Sequence, residues 1–137
     1  MLRGLSTPFR LRFERQPWSG QSAALNRGIE IAAGRLCLFL DDDITPSPAL
    51  VQAHVEAQRQ QAVVAVGRLE LAPAGTLDWF ARRHAEGWRA HYDRLDRFAA
   101  PTWRDAFSGN LSAPRAALLA VGAVSYTHLT LPTTPYV

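Results

Sequence analysis

The chain has no lysine, one cysteine and one methionine in its 137 residues. A single thiol, Cys37, cannot close an internal disulfide, and its place inside an apolar run suits the usual burial of a free cysteine. No window approaches the apolar length of a membrane span. The opening MLRGLSTPFRLRF lacks the apolar core and small-residue cleavage site of a signal peptide. These absences lead to the expectation of a cytoplasmic chain with no membrane segment. Because lysine is missing, all 15 cations are arginines, and the net charge is +3. They are scattered (Arg10, Arg12, Arg15, later Arg82, Arg83, Arg89, Arg94, Arg97) and mostly alternate with acids. That is the pattern of solvated faces, not of a nucleic-acid stripe, although it can help attract an anionic substrate such as a nucleotide diphosphate.

What is present suffices for a core. Hydrophobic residues make up 47% and charged residues 20%, the proportions of a soluble domain. FRLRFER alternates Phe9, Leu11 and Phe13 with polar residues, the period of a half-buried strand. QSAALNRGIEIAAG carries Ala24, Leu25, Gly28, Ile29 and Ala32 at helical spacing and stops at Gly34. LCLFL reads as a central strand buried on both faces. Ser47-Pro48 is an N-cap and first-turn pair, opening a helix that turns Leu50, Val51, His54 and Val55 inward. AVVAVGRLEL is a further strand. Thr76 to Phe98 forms a long helix with an aromatic stripe through Phe80, His84, Trp88 and Tyr92. AFSGNLS is a short strand, and APRAALLAVG a helix from Pro114 to Gly122. This alternation predicts an α/β sandwich with a mostly parallel sheet.

The chemistry concentrates at CLFLDDDITPSPALV. Asp41, Asp42 and Asp43 stand directly after a strand, where open α/β sheets bind ligands. If the extended geometry continues, Asp41 and Asp43 lie on one side, where two carboxylates can share Mg²⁺ or Mn²⁺ and leave positions open for phosphate oxygens. A solvated turn accounts for the three acids equally well. A calcium EF-hand loop does not: counted from Asp41, its sixth and twelfth positions hold Pro46 and Gln52 instead of Gly and Glu. The same stretch satisfies the Asp-x-Asp-x-Thr signature of haloacid-dehalogenase-like phosphatases. Asp41 would then be nucleophile, Asp43 general acid/base and Thr45 a supporting hydroxyl, but that signature normally stands on a domain's first strand. A non-catalytic α/β binding module is the third reading.

The flanks discriminate. RQPWSGQSAALNRGIEIAAGRLCLFLDDDITPSPALVQAH resembles the central segment of family 2 glycosyltransferases of the GT-A fold. Gly20, Asn26, Gly28, Ile29, Ala33, Asp41, Asp43 and Pro48 occupy the family's motif positions. FSGNLSAPRAALLAVG resembles its later Gly-Asn-x-Ser…Arg segment, so the similarity runs from about residue 8 to 123. The resemblance implies a nucleotide-sugar donor, with a UDP-sugar the first expectation, and an unknown glycosyl acceptor. It also implies a Mn²⁺ or Mg²⁺ ion that neutralises the diphosphate leaving group. Asp43 is the expected direct ligand. Asp41 and Asp42 would contribute a second ligand, a ribose contact or water-mediated coordination. Gly20 and Gln21 lie at the base-binding loop, and Asn110 and Ser112, with Arg115 nearby, at the cleft for donor sugar and acceptor. Trp88 is a further candidate for the acceptor side.

Two family segments are missing from the expected order: the first strands, with an Asp that reads the base and an Asp-Asp-Gly-Ser motif, and the acidic motif that supplies the catalytic base. Residues 1–123 are therefore expected to be the central portion of a GT-A domain truncated at both ends, from an inverting enzyme, and inactive alone. A lost C-terminal segment could associate the parent enzyme with a membrane. VSYTHLTLPTTPYV departs from the Ala/Arg-rich usage before it and resembles a translated sequencing-adapter read-through. Residues 124–137 are accordingly expected to be a non-native tail.

Overall fold

The structure, a computed structural model, describes residues 6–59, 64–70, 79–98, 102 and 105–124. In chain order its elements are helix α1 (Gln21–Ile31), strand β1 (Leu36–Leu40), helix α2 (Leu50–Arg59), strand β2 (Ala65–Val66), helix α3 (Trp79–Phe98), strand β3 (Asn110–Pro114) and helix α4 (Arg115–Ala120). The α/β alternation read from the sequence is present. The strand pairing differs from expectation. The three strands form a sheet of order β1-β3-β2, and both ladders are antiparallel. With β3 between them and opposed to both, β1 and β2 share one direction, as expected of strands joined through a helix. The insertion of β3 against that direction is what the mostly parallel reading missed.

Register is continuous from Leu36↔Pro114 to Leu40↔Asn110 on one side of β3, with Ala65↔Ser112 and Val66↔Leu111 on the other. A Gly67 N–H to Asn110 carbonyl bond of 2.8 Å extends the second ladder. The central strand is therefore β3. LCLFL, expected to be buried on both faces, lies at the edge of the described sheet. Only Cys37 of β1 is buried, and burial pushes its thiol above the ordinary value.

A polar strand can occupy the centre because its side chains are satisfied. Asn110 and Ser112 alternate onto the face covered by α2, which lies against all three strands. His54 of α2 fits between them. Its Nδ1 is 2.8 Å from Ser112 Oγ and its Nε2 is 2.8 Å from Asn110 Oδ1. An amide oxygen only accepts, so Nε2 donates to it. In the neutral ring Nδ1 then accepts the Ser112 hydroxyl proton. Asn110 Nδ2 donates onward to the Arg68 carbonyl at 3.3 Å. Of the four residues expected to face inward from α2, His54 is buried and Leu50 half-buried, while Val51 (63% exposed) and Val55 face outward. The inward face of α2 was chosen by hydrogen bonding to β3, a term that a hydrophobic stripe does not contain.

Two further corrections concern chain ends of elements. FRLRFER is not a strand: residues 9–15 form no ladder, and Phe9, Leu11 and Phe13 are exposed. Alternation makes a strand only where a neighbour completes its hydrogen bonds, and none pairs with it among the described residues. Instead Glu14 accepts from Arg27 of α1, at 2.6 Å from Nη2 and 3.2 Å from Nε. The bonded guanidinium holds the Glu14 carboxyl below its ordinary range. Helix α1 ends at Ile31, before Gly34, because Arg115 caps it. The Arg115 Nε donates to the Ile29 carbonyl at 2.8 Å and its Nη2 to the Glu30 carbonyl at 2.9 Å, placing a cation at the negative end of the helix dipole. Helix α4 is shorter than the Pro114–Gly122 expectation: Pro114 ends β3 and caps the helix, which stops at Ala120 before a turn at Gly122, whose φ of +81° suits glycine. The Asn26 side chain closes this corner, exchanging two bonds with the Val124 backbone at 2.8 and 3.1 Å. Thr76–Asp78 of the long-helix expectation, residues 62–63 and 71 of the strand expectation and residues 125–137 of the tail lie outside the described residues.

Replacing His54 with leucine would leave the Ser112 hydroxyl and the Asn110 side-chain oxygen without their ring partner. We expect His54→Leu to lose about 2–4 kcal/mol of unfolding free energy, read as a shifted urea midpoint. A change within about 0.5 kcal/mol would contradict the bridging role.

Candidate functional site

Three segments meet at the end of the sheet where β1 stops. The first is the acidic turn after Leu40. The Asp41 N–H donates to the Gly109 carbonyl at 3.4 Å, carrying the β1–β3 ladder one step beyond the strand. A Cβ built on Gly109 would lie 2.9 Å from Asp41 Oδ2 and 3.4 Å from Leu69 Cδ1, so the Asp41 carboxylate rests on the bare face of that glycine. The second segment, Phe107 to Gly109, leads into β3. The third is the loop before α1, tied to the second by a Gln21 Nε2 to Ser108 Oγ contact of 3.5 Å. Gly20 has φ +85°, a left-handed backbone that glycine adopts without strain and that turns the chain sharply into the helix.

Of the residues singled out from the sequence, Gly20, Gln21 and Asp41 are thus brought to one place. Asp42 and Asp43 continue the same exposed turn. Among the described residues none of the three carboxylates has an ion-pair or side-chain hydrogen-bond partner. Oxygen donors at an exposed strand end suit a hard divalent cation. No three acidic, histidine or cysteine side chains among the described residues converge as a ready-made cage. The donor set fits an ion that draws its remaining ligands from water and phosphate oxygens, as Mg²⁺ and Mn²⁺ do beside a diphosphate.

Asn110 and Ser112 stand elsewhere. Ser112 is 0% exposed and Asn110 5%, both engaged with His54 beneath the sheet. They do not line a cleft; they hold β3 in register, so that Gly109 meets Asp41. Arg115 is the cap on α1 described above. The residues that sequence reasoning passed over are Ser108 and Gly109. Their signal lay in FSGN, where a glycine directly before a strand can mark close approach of another group.

Helix α3 borders the same region. Its aromatic stripe is real: Trp88 stacks on Tyr92 with centroids 5.8 Å apart and meets Phe107 edge-on at 5.0 Å. The Tyr92 hydroxyl accepts the Leu69 N–H at 2.8 Å, while Arg68 lies over the Tyr92 ring at 5.2 Å and pairs with Asp96. Burial raises the Tyr92 pKa. A second tie runs through Asp105, which is buried. It accepts the Thr102 N–H at 2.7 Å and the Thr102 hydroxyl at 2.8 Å, pairs with Arg94, and lies 3.7 Å from His91 Nε2. The bonds from Thr102, backbone first, and the Arg94 guanidinium hold the Asp105 carboxyl below its ordinary 3.8. Between α3 and Phe107 runs an open groove of about 470 Å³, lined by Trp79, Phe80, Arg83, His84, Trp88 and His91 among others.

A loop with a positive-φ glycine, an acidic turn at a strand end and an aromatic groove belong to one small α/β arrangement. Residues 1–121 match the family model described as glycosyl transferase family 2. The chain belongs to that family, and with this the phosphatase reading of Asp41, Asp43 and Thr45 loses its ground. Neither a curated protein nor a solved structure matches the chain. No helix among the described residues is long and apolar enough to cross a membrane.

Gly109→Ala should displace the Asp41 carboxylate while costing less than about 1 kcal/mol of stability, since Asp41 is exposed and free to rotate. Amide shifts at Leu40 and Asp41, with a urea curve, report both; unmoved shifts would place the carboxylate elsewhere. A second expectation concerns acid. A carboxyl depressed in the folded state contributes stability that is complete above its unfolded value and is lost as pH falls through the folded one. Wild type should therefore exceed Asp105→Asn in stability at pH 7, and the gap should shrink once pH drops below 3.8. A gap constant from pH 7 to 2.5 would mean that Asp105 is held by its shape and not by its charge.

Proposed function

We propose that this chain carries the donor side of a sugar-nucleotide-dependent, metal-assisted glycosyltransferase, with a UDP-sugar as the donor class and Mn²⁺ or Mg²⁺ as the ion. The observation that carries the reading is the convergence of Asp41, Gly109, Ser108 and Gln21 at one strand end, in a chain of this family. Asp43 is assigned as the direct ligand, with Asp41 as a second. Asp42 contributes negative field or a ribose contact. Gln21 presents an amide to the nucleotide base, and Gly20 lets the backbone come close. The bound ion supplies neutralisation of the charge that develops on the departing diphosphate.

In the transfer itself an acceptor hydroxyl attacks the anomeric carbon as the bond from that carbon to the diphosphate oxygen breaks, inverting the centre. The acceptor proton goes to a general base, to which no residue of this chain is assigned. The 137-residue chain is accordingly expected to bind donor without turning it over, and binding is the proper readout.

Calorimetric titration with UDP should show heat only in the presence of Mn²⁺, and Asp43→Ala should weaken that binding by roughly tenfold or more. Equal binding without metal, equal binding by the variant, or no heat from a folded sample would each overturn the assignment.

A further inference from the structure

Asn26 and Arg115 belong to the segments that resemble the family, yet their side chains are engaged along helix α1 and not at the acidic turn. The Arg115 guanidinium gives one N–H to the Ile29 carbonyl at 2.8 Å and another to the Glu30 carbonyl at 2.9 Å. Its backbone N–H donates to the Arg35 carbonyl at 2.8 Å, directly before β1, and Arg115 itself follows the last residue of β3. One residue therefore ties the end of α1, the start of β1 and the end of β3 together.

At its other end α1 meets the beginning of the same strand. Gln21 Nε2 lies 3.5 Å from Ser108 Oγ, shortly before β3 opens at Asn110. The helix is thus strung between the two ends of β3, held by Ser108 beside the acidic turn and by Arg115 far from it. Between them Asn26 exchanges two bonds with the Val124 backbone. Only Ser22 and Ile29 of α1 are buried, and the helix lies chiefly against α4. With so little of it enclosed, the polar ties set its direction.

The helix is long compared with the tolerance of the contact it carries. From Ile29 to Gln21 its axis rises about 12 Å. A tilt of about 10° about the Arg115 end displaces Gln21 by about 2 Å. A hydrogen bond loses its geometry within a fraction of that distance.

We propose that Arg115, assisted by Asn26, is a positioning residue for the Gln21 amide, so that the far end of α1 governs how well the chain reads a nucleotide base. For what Gln21 contacts, this rests on the donor reading; for what holds Gln21, it rests on the geometry alone. The donor site then has two parts with different supports. The acidic turn is joined to β3 directly, through the Asp41 N–H on the Gly109 carbonyl, and serves the metal and diphosphate. The base contact is held to its place through α1 and its clamp. Loosening Arg115 impairs the second part and spares the first.

Arg115→Lys tests this, because it keeps a cation at the helix end and removes the rigid fork that spans two carbonyls. In the unliganded, ¹⁵N-labelled 137-residue chain, the Gln21 side-chain amide resonance should move toward that of a freely rotating glutamine. With Mn²⁺ present, calorimetry should show UDP affinity falling about threefold to tenfold, the loss of one hydrogen bond. Affinity for inorganic pyrophosphate should not change. Gln21→Ala should lose UDP affinity to the same extent, and combining it with Arg115→Lys should lose nothing more, since both act through one contact. Asn26→Ala should repeat the Arg115→Lys pattern with smaller size, and it carries the test if circular dichroism shows Arg115→Lys unfolded. Equal losses for UDP and pyrophosphate, additive losses in the double variant, or an unmoved Gln21 resonance would each overturn the positioning role and keep the donor reading. A shifted Gln21 resonance in a folded chain that binds neither UDP nor pyrophosphate would keep the clamp and sink the donor reading.

Discussion

The bridge that His54 makes between Ser112 and Asn110 is the constraint on which the rest of the molecule depends. A strand reading Asn-Leu-Ser-Ala-Pro is a poor candidate for the centre of a sheet, because each buried polar group left unpaired costs about 1–3 kcal/mol. One imidazole with a nitrogen on each edge meets two such groups at 2.8 Å apiece, and the strand becomes the best-buried one described. Its position then decides everything at the sheet end. Asn110 lies so close over Gly67 that a Cβ there would sit 2.2 Å from Nδ2. That contact sets β2 against β3, and Gly109 follows directly from Asn110. The residues that resemble a cleft motif in the sequence thus serve the site from beneath, through the register they impose.

Much of this was legible in the order of residues. The helices α1, α3 and α4 follow from their periodicity, Pro114 and Gly122 mark the ends of the last one, and the acidic turn stands where an apolar strand stops. Non-local pairing was not legible. LCLFL is the most apolar run in the chain, and hydropathy alone puts it at the sheet centre. The centre instead goes to β3, whose burial depends on a histidine 56 residues earlier. Antiparallel insertion of β3 between two strands of like direction is equally invisible to a local pattern. FRLRFER shows the converse: a correct strand period with no ladder partner beside it.

The candidate site divides in the same way. Asp41 is conspicuous because its carboxylate stands in an acidic run, whereas Gly20 and Gln21 are marked only by their place in a segment that resembles the family. Ser108 and Gly109 were passed over because their contribution is what they lack or where they sit. A glycine under a carboxylate becomes visible only when a Cβ is imagined at 2.9 Å from the oxygen. The cleft expectation for Asn110 and Ser112 comes from the later family segment that FSGNLSAPR resembles. Burial weighs against that inference, since the Ser112 hydroxyl is fully enclosed and its donor is already directed at His54.

The segment from Phe107 to Gly109 joins two surfaces of opposite character. At its end Gly109 offers backbone to an acidic turn exposed to water, where charge and a cation would act. At its start Phe107 lines an aromatic groove with Trp88. The helix that forms the groove is held by ties whose strengths respond to different conditions. One is the Tyr92 hydroxyl on the Leu69 backbone, indifferent to mild acid. The other is the buried Asp105 with Thr102 and Arg94, which needs its charge. Because Leu69 also lies against Gly109, the Tyr92 tie carries the position of α3 to the same glycine that supports Asp41. A displacement of the helix would therefore reach both surfaces through one short stretch of backbone, which makes residues 107–109 the common reference for both.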